Sequence, residues 1–179
     1  PNEGAYIGRK VYRDANLYQA MDMIKNKKYN SALKAIAQSK EWPENLGVGK
    51  PYENMIDGRL EDYLEYMAYS GIGNSSKAEE CLNRILSYNI RNGSFESANL
   101  LSALALRNKG QLEKANQMVN SWKQNYPSDK AVQWCIAIYN GNKEDATELL
   151  CTKDSNNEET PWEMTFRDRN SDLILRLFE

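Results

Sequence analysis

The residues from Ser94 to Pro127 constrain the fold of this chain more than any other stretch of its sequence. Apolar or small side chains recur in the second half at the spacing of one helix face, in the order Ala115, Met118, Val119 and Trp122. Gly110 lies where a left-handed residue would end a first helix, and Pro127 follows the second helix. The stretch therefore predicts two short helices joined by a tight turn at residues 109–111.

The same plan recurs along the chain. A small residue stands early in the second helix of each pair, at Ala32, Ala78, Ala115 and Ala146. The residue five positions earlier is a glycine in three pairs and a lysine in the first, namely Gly73, Gly110, Gly141 and Lys27. A small residue lets two packed helix axes approach closely. The pattern predicts helix pairs at about residues 12–42, 57–92, 94–127 and 128–151.

The two ends of the chain depart from this plan. Residues 1–11 show no helical period and are predicted to form a non-periodic N-terminal arm. Residues 152–179 are predicted to form a tail with a short capping helix, which begins at Asn170 or Ser171. We therefore expect an all-α fold with a single helical-repeat domain over residues 1–179.

Composition argues against several functional classes. The formal net charge is −2, so no nucleic-acid surface is expected, and no apolar run approaches the roughly 20 residues of a membrane span. The chain has no histidine, which removes the commonest general base and transition-metal ligand. Cys81 and Cys135 fall on apolar helix faces and are interpreted as core residues, with a reactive thiol as the alternative. We expect a soluble protein with no catalytic, cofactor-binding or metal-binding residue, and its compartment, cytoplasm or periplasm, is left open.

A loop rich in proline and glycine interrupts the helical period after residue 42. Its Gly47-Val48-Gly49-Lys50 invites comparison with a phosphate-binding loop. That motif needs an earlier glycine where Glu44 stands, a hydroxyl where Pro51 stands, and a preceding strand. A structural connector explains the loop better.

The central pair resembles the tetratricopeptide repeat, a helix–turn–helix unit of about 34 residues. Ala103 and Ala115 match the small positions of its two helices, Leu112 follows the turn, and Pro127 matches the closing proline. The resemblance implies helix–turn–helix repeats stacked in a right-handed superhelix, an α-α solenoid.

A second resemblance rests on the run from Trp42 to Pro51, which lies between two of these repeats. It is similar to a segment of certain bacterial proteins that join an N-terminal β-rich domain of unknown function to a C-terminal tetratricopeptide array. The β-rich domain is thought to be related to carbohydrate-active folds. The resemblance implies that this chain is the helical part of a larger bacterial protein, with any catalysis in a domain absent from this sequence.

In tetratricopeptide arrays the first helix of each pair lines a concave binding surface. In this chain the corresponding residues of the first helices are mostly apolar and form a candidate groove: Leu17, Met21, Tyr63, Met67, Leu100, Leu104 and Arg107. The alternative is that these residues pack on one another. Trp162, Met164 and Phe166 of the tail are further hypothesised to fill the groove.

The function expected from these observations is a non-catalytic scaffold for protein–protein or interdomain contacts. Its partner would be a protein segment or another domain of the same chain, and the oligomeric state is left open. An accessory region of a carbohydrate-processing enzyme is the alternative, with sugars stacked on Trp42, Tyr52, Trp134 or Trp162. A structural spacer or dimerisation module is a third interpretation.

Overall fold

A computed structural model describes residues 3–42, 52, 56–88, 95–151 and 170–178. Within these residues the chain is helical and has no strand, which confirms the predicted all-α class. The helices are α1 (Glu3–Lys25), α2 (Tyr29–Ser39), α3 (Arg59–Ile72), α4 (Ser75–Ser87), α5 (Asn99–Asn108), α6 (Leu112–Asn125), α7 (Lys130–Tyr139), α8 (Lys143–Cys151) and α9 (Ser171–Arg176).

The chain forms two compact units, residues 1–88 and residues 89–179. The first contains α1–α4 and the second α5–α9. A single domain and a superhelix that span the whole chain stay predictions.

The turn between the two helices of each pair has the same backbone geometry in all four pairs. One residue, one or two positions after the end of each first helix, has a positive φ: 58° at Lys27, 83° at Gly73, 75° at Gly110 and 80° at Gly141. The N–H of this residue donates a hydrogen bond to the carbonyl oxygen three residues before it. The N–H of the following residue donates to the carbonyl oxygen five residues before itself. These two hydrogen bonds close the helix end as a Schellman motif. The three glycines and the lysine aligned from the sequence are thus equivalent in the structure.

The aligned alanines are equivalent too. Ala32, Ala78, Ala115 and Ala146 are all buried. The N–H of each alanine donates to a carbonyl four residues back, at Lys28, Asn74, Gln111 and Asn142 respectively, and this bond starts the second helix. The sequence pattern therefore located the turn and the helix start in each of the four pairs.

The prediction of a non-periodic arm over residues 1–11 is wrong, because α1 begins at Glu3. Polar contacts, not an apolar stripe, hold this part of α1 against the end of α2. Arg9 is buried, its Nη2 donates to the carbonyl oxygen of Ser39 at 2.8 Å, and its guanidinium lies 4.5 Å from the ring centre of Trp42. A buried arginine is a charged residue, so it adds nothing to the apolar periodicity by which helices are predicted from sequence.

In the first unit, α1 packs on α2 and α3, while α3 also packs on α2 and α4. Its largest fully buried apolar side chains are Leu17, Ile36, Leu60, Leu64 and Ile85. The burial of each large apolar side chain contributes about 1.5–3 kcal/mol to stability.

In the second unit, α5 packs on α6 and α7, and α7 packs on α6 and α8. Its largest fully buried apolar side chains are Leu100, Leu101, Leu104, Trp134 and Ile174. Asp129 caps the start of α7, because its carboxylate accepts hydrogen bonds from the N–H groups of Ala131 at 2.8 Å and Val132 at 3.1 Å. The predicted short helix of the tail is α9, which begins at Ser171.

Candidate binding groove

The residues of the predicted groove lie mainly in the cores of the two units. Five of them are buried: Leu17, Met21, Tyr63, Leu100 and Leu104. Met67 is half-buried, and Arg107 is exposed, with its guanidinium 5.0 Å from the ring centre of Tyr139. A side chain without exposed surface cannot touch a partner unless its neighbours move. This burial favours the alternative in which these residues pack together, and a groove formed by them stays a prediction.

The described part of the second unit contains a different concavity, where α6, α7 and α8 meet. Its volume is about 550 Å³. The residues that line it come from the end of α6, the α6–α7 turn and the facing sides of α7 and α8: Lys123, Tyr126, Pro127, Val132, Gln133, Ile136, Ala137, Asn140, Asn142, Asp145, Glu148 and Leu149.

A smaller cavity of about 210 Å³ adjoins it between α6 and α7. The two cavities share Lys123, Ile136 and Asn140. The smaller one adds Asn116, Val119, Asn120 and Tyr139 to the lining. We call the two together the α6–α8 groove. The shared residues place the two cavities side by side against α7.

The floor and the rim of the α6–α8 groove differ in chemistry. Val132 and Ala137 are buried in the floor, and Ile136 and Leu149 are half-buried beside them. The rim is exposed and rich in side-chain amides, which belong to Asn116, Asn120, Gln133, Asn140 and Asn142. An apolar floor with a few polar groups at the edge is typical of ligand sites in proteins.

Hydrogen bonds hold two of these amides. The hydroxyl of Tyr139 donates to Oδ1 of Asn116 at 2.8 Å and so connects α7 to α6. Nδ2 of Asn142 donates to Oδ2 of Asp145 at 2.5 Å. Asn142 directly follows Gly141, so the repeated turn places this amide at the start of α8. The rim is thus partly preorganised.

The described residues that line this groove include no cysteine, serine or threonine that could act as a nucleophile, and the chain has no histidine to act as its base. Among the described residues, no three His, Cys, Asp or Glu side chains come together as metal ligands would. The side chains present can bind through apolar contact, amide hydrogen bonds and charge.

The described aromatic residues considered for sugar stacking differ in exposure. Trp134 is fully buried, and one face of Trp42 is covered by Arg9. Tyr52 is 81% exposed. Trp162, Met164 and Phe166 lie outside the described residues, as does most of the loop from Pro43 to Met55. Trp134 therefore has no free face on which a sugar could stack.

Sequence reasoning missed the α6–α8 groove because it searched the first helix of each pair. Most of the rim belongs to second helices and to the turns before and after α7. One available signal was the density of amides, since Asn116, Asn120, Asn140 and Asn142 fall close together in the chain. Spacing alone could not show that they meet around one cavity.

Comparisons of the chain with protein-family models, with curated proteins and with solved structures found no match. In the part of the chain that the structure describes, no helix is both long enough and apolar enough to cross a membrane.

Proposed function

We propose that this chain is a non-catalytic helical scaffold that binds an extended segment of protein in the α6–α8 groove. One observation carries this proposal. Two adjoining cavities, of about 550 and 210 Å³, lie side by side against α7 and share an apolar floor and an amide-rich rim.

The amide-rich rim favours a polypeptide over other ligands. An Asn or Gln side chain carries both a donor and an acceptor, as a peptide bond does. An extended chain presents its N–H and C=O groups at regular intervals, so amides spread along a groove match it without requiring a particular sequence. The apolar floor around Ile136 then receives one or two side chains of the segment.

The size of the groove indicates moderate affinity. A volume of about 550 Å³ lies within the usual range for ligand pockets. The burial of one or two apolar side chains supplies about 1.5–3 kcal/mol each, and the ordering of a flexible segment offsets part of this gain. We expect dissociation constants of about 1 μM or weaker, and 1 μM corresponds to a binding free energy of about −8 kcal/mol.

The wider assignment belongs to the same proposal. The four equivalent turns and buried alanines support a tetratricopeptide-like plan of helix pairs. On that basis the segment comes from a partner protein or from another domain of a larger bacterial protein. The groove requires neither source in particular, because both present the same extended backbone.

The experiment is the selection of a random peptide library displayed on phage against the full chain. The selected peptides are then measured by fluorescence anisotropy on the wild type and on two variants. Ile136→Lys places a charge on the groove floor, while Gln117→Lys places one on an exposed part of α6 outside both cavities. Circular dichroism checks that both variants are folded.

We expect Ile136→Lys to weaken binding at least about fivefold and Gln117→Lys to leave it unchanged. Failure to select any peptide above background would overturn the proposal. So would peptides that bind both variants as well as the wild type, because they would be held elsewhere.

A further inference from the structure

The α6–α8 groove has its two carboxylates in the larger cavity, and we infer that it selects an extended segment with a lysine or arginine side chain seated beside Asp145 and Glu148. The inference rests on the proposed function and names the chemistry of its ligand.

The two carboxylates lie on one face of α8. Asp145 and Glu148 are three residues apart and therefore neighbours on the helix surface, and Leu149 completes the same face. All three line the larger cavity. A ligand side chain there meets two negative groups next to an apolar surface. The long apolar stem of a lysine or arginine fits this combination, with its charged end at the carboxylates.

Both carboxylates remain available to a ligand. Asp145 accepts a hydrogen bond from the neutral amide of Asn142, which positions the carboxylate but leaves its charge. Among the residues that the structure describes, none forms an ion pair with Glu148. Both side chains are exposed, so they meet a ligand without a rearrangement of the fold.

The two cavities differ in their charged residues. Lys123 borders both cavities, whereas Asp145 and Glu148 border only the larger one. Among its described lining residues, the smaller cavity thus has a cation and no carboxylate. A bound segment is oriented by this difference: its basic residue lies against α8, and the α6 end accepts backbone carbonyls or an acidic side chain.

A metal ion is a poorer occupant than a basic side chain. Hard cations such as Ca²⁺ take about six to eight oxygen ligands. Two carboxylates on one helix face fall short of that number, and no group of three potential ligand residues occurs among the described residues. A single organic cation needs only one or two carboxylates.

Positional-scanning peptide pools test the inference on the full chain. In one pool a single position is fixed as lysine, in a second pool as glutamate, and in a third pool as glutamine. Their affinities are compared for the wild type, Glu148→Gln and Glu144→Gln. Glu144 provides a matched control because it is an exposed acid on α8 that does not line the groove.

We expect the wild type to bind the lysine pool about threefold to fivefold more tightly than the glutamate pool, as suits one partly exposed ion pair. Glu148→Gln should remove most of this preference, and Glu144→Gln should retain it. Glu148→Lys should reverse the preference towards the glutamate pool.

The failures are distinguishable. Pools that bind equally well whatever residue is fixed would overturn the inference and leave the proposed function standing. Absence of binding by every pool would overturn both. A lysine preference that Glu148→Gln and Glu144→Gln reduce equally would also overturn the inference, since it would reflect overall charge.

Discussion

Arg13 on α1 and Glu61 on α3 form a buried two-point ion pair in the first unit. Nε of Arg13 lies 2.5 Å from Oε1 of Glu61, and Nη2 lies 2.9 Å from Oε2. Burial disfavours the charge on Arg13, but attraction and hydrogen bonds from Glu61 outweigh it, and the pKa of Arg13 lies above its ordinary value. Because α1 and α3 belong to different helix pairs, this ion pair fixes how one pair sits on the next.

Removal of one partner should strongly destabilise the first unit. We expect Glu61→Leu to cost up to about 3–5 kcal/mol, because it removes both short bonds to a buried guanidinium that then keeps only a longer contact to Asp14, at 3.4 Å. Arg13→Met should also be destabilising, because it leaves the buried carboxylate of Glu61 without the arginine. The double variant should recover most of the loss. Urea unfolding measured by circular dichroism gives these values.

The pair of exposed Lys10 and half-buried Asp14 on α1 provides the control. Lys10→Met should change the free energy of unfolding by less than about 1 kcal/mol. Equal losses in Lys10→Met and Arg13→Met would contradict the role assigned to the buried pair.

Lys27 occupies a backbone conformation that glycine adopts in the other three turns. Its φ is 58°, which costs a side-chain-bearing residue about 1–2 kcal/mol. Lys27→Gly should therefore stabilise the protein by about 0.5–1 kcal/mol, even though glycine gains entropy in the unfolded chain. Lys34→Gly, at an exposed position inside α2, should destabilise it by about 1 kcal/mol. Thermal unfolding would distinguish the two, and a loss of stability in Lys27→Gly would refute the prediction.

Gly71 provides space for the ring of Tyr29 where α2 packs on α3. A Cβ added at Gly71 would overlap that ring. Gly71→Ala should destabilise the protein by about 1–3 kcal/mol despite the better helix propensity of alanine. Combined with Tyr29→Ala, the same change should cost much less, because the overlap is gone. A double-mutant cycle measures the coupling, and additive effects would show that the contact carries no energy.

Cys81 and Cys135 should resist thiol reagents in the folded protein. Both are buried, and burial is the main cause that raises the pKa of Cys81 above its ordinary value. A raised pKa lowers the fraction of reactive thiolate near neutral pH. Peptide mapping after iodoacetamide treatment should find both residues unmodified in buffer and modified in urea. Fast modification of Cys81 in buffer would contradict the core assignment.

The turns were the most predictable part of the fold. A positive φ favours glycine for a local steric reason, so Gly73, Gly110 and Gly141 marked helix ends without any tertiary information. Lys27 was found only by its spacing from Ala32, since lysine has no such preference.

The missed features depend on contacts between distant residues. The first turns of α1 are held through Arg9, and two of its contacts lie at Ser39 and Trp42. The α6–α8 groove likewise depends on how three helices pack. Periodicity identified Leu100 and Leu104 as apolar, but it could not distinguish a residue that lines a groove from one that fills a core.

The most direct test is a two-dimensional ¹H–¹⁵N NMR titration of the full chain with the best lysine-containing peptide pool. The account predicts shift changes at the groove residues Asn116, Ile136, Asn140 and Glu148. Changes confined to α1 and α3 would contradict it and would favour the surface first expected around Leu17 and Tyr63.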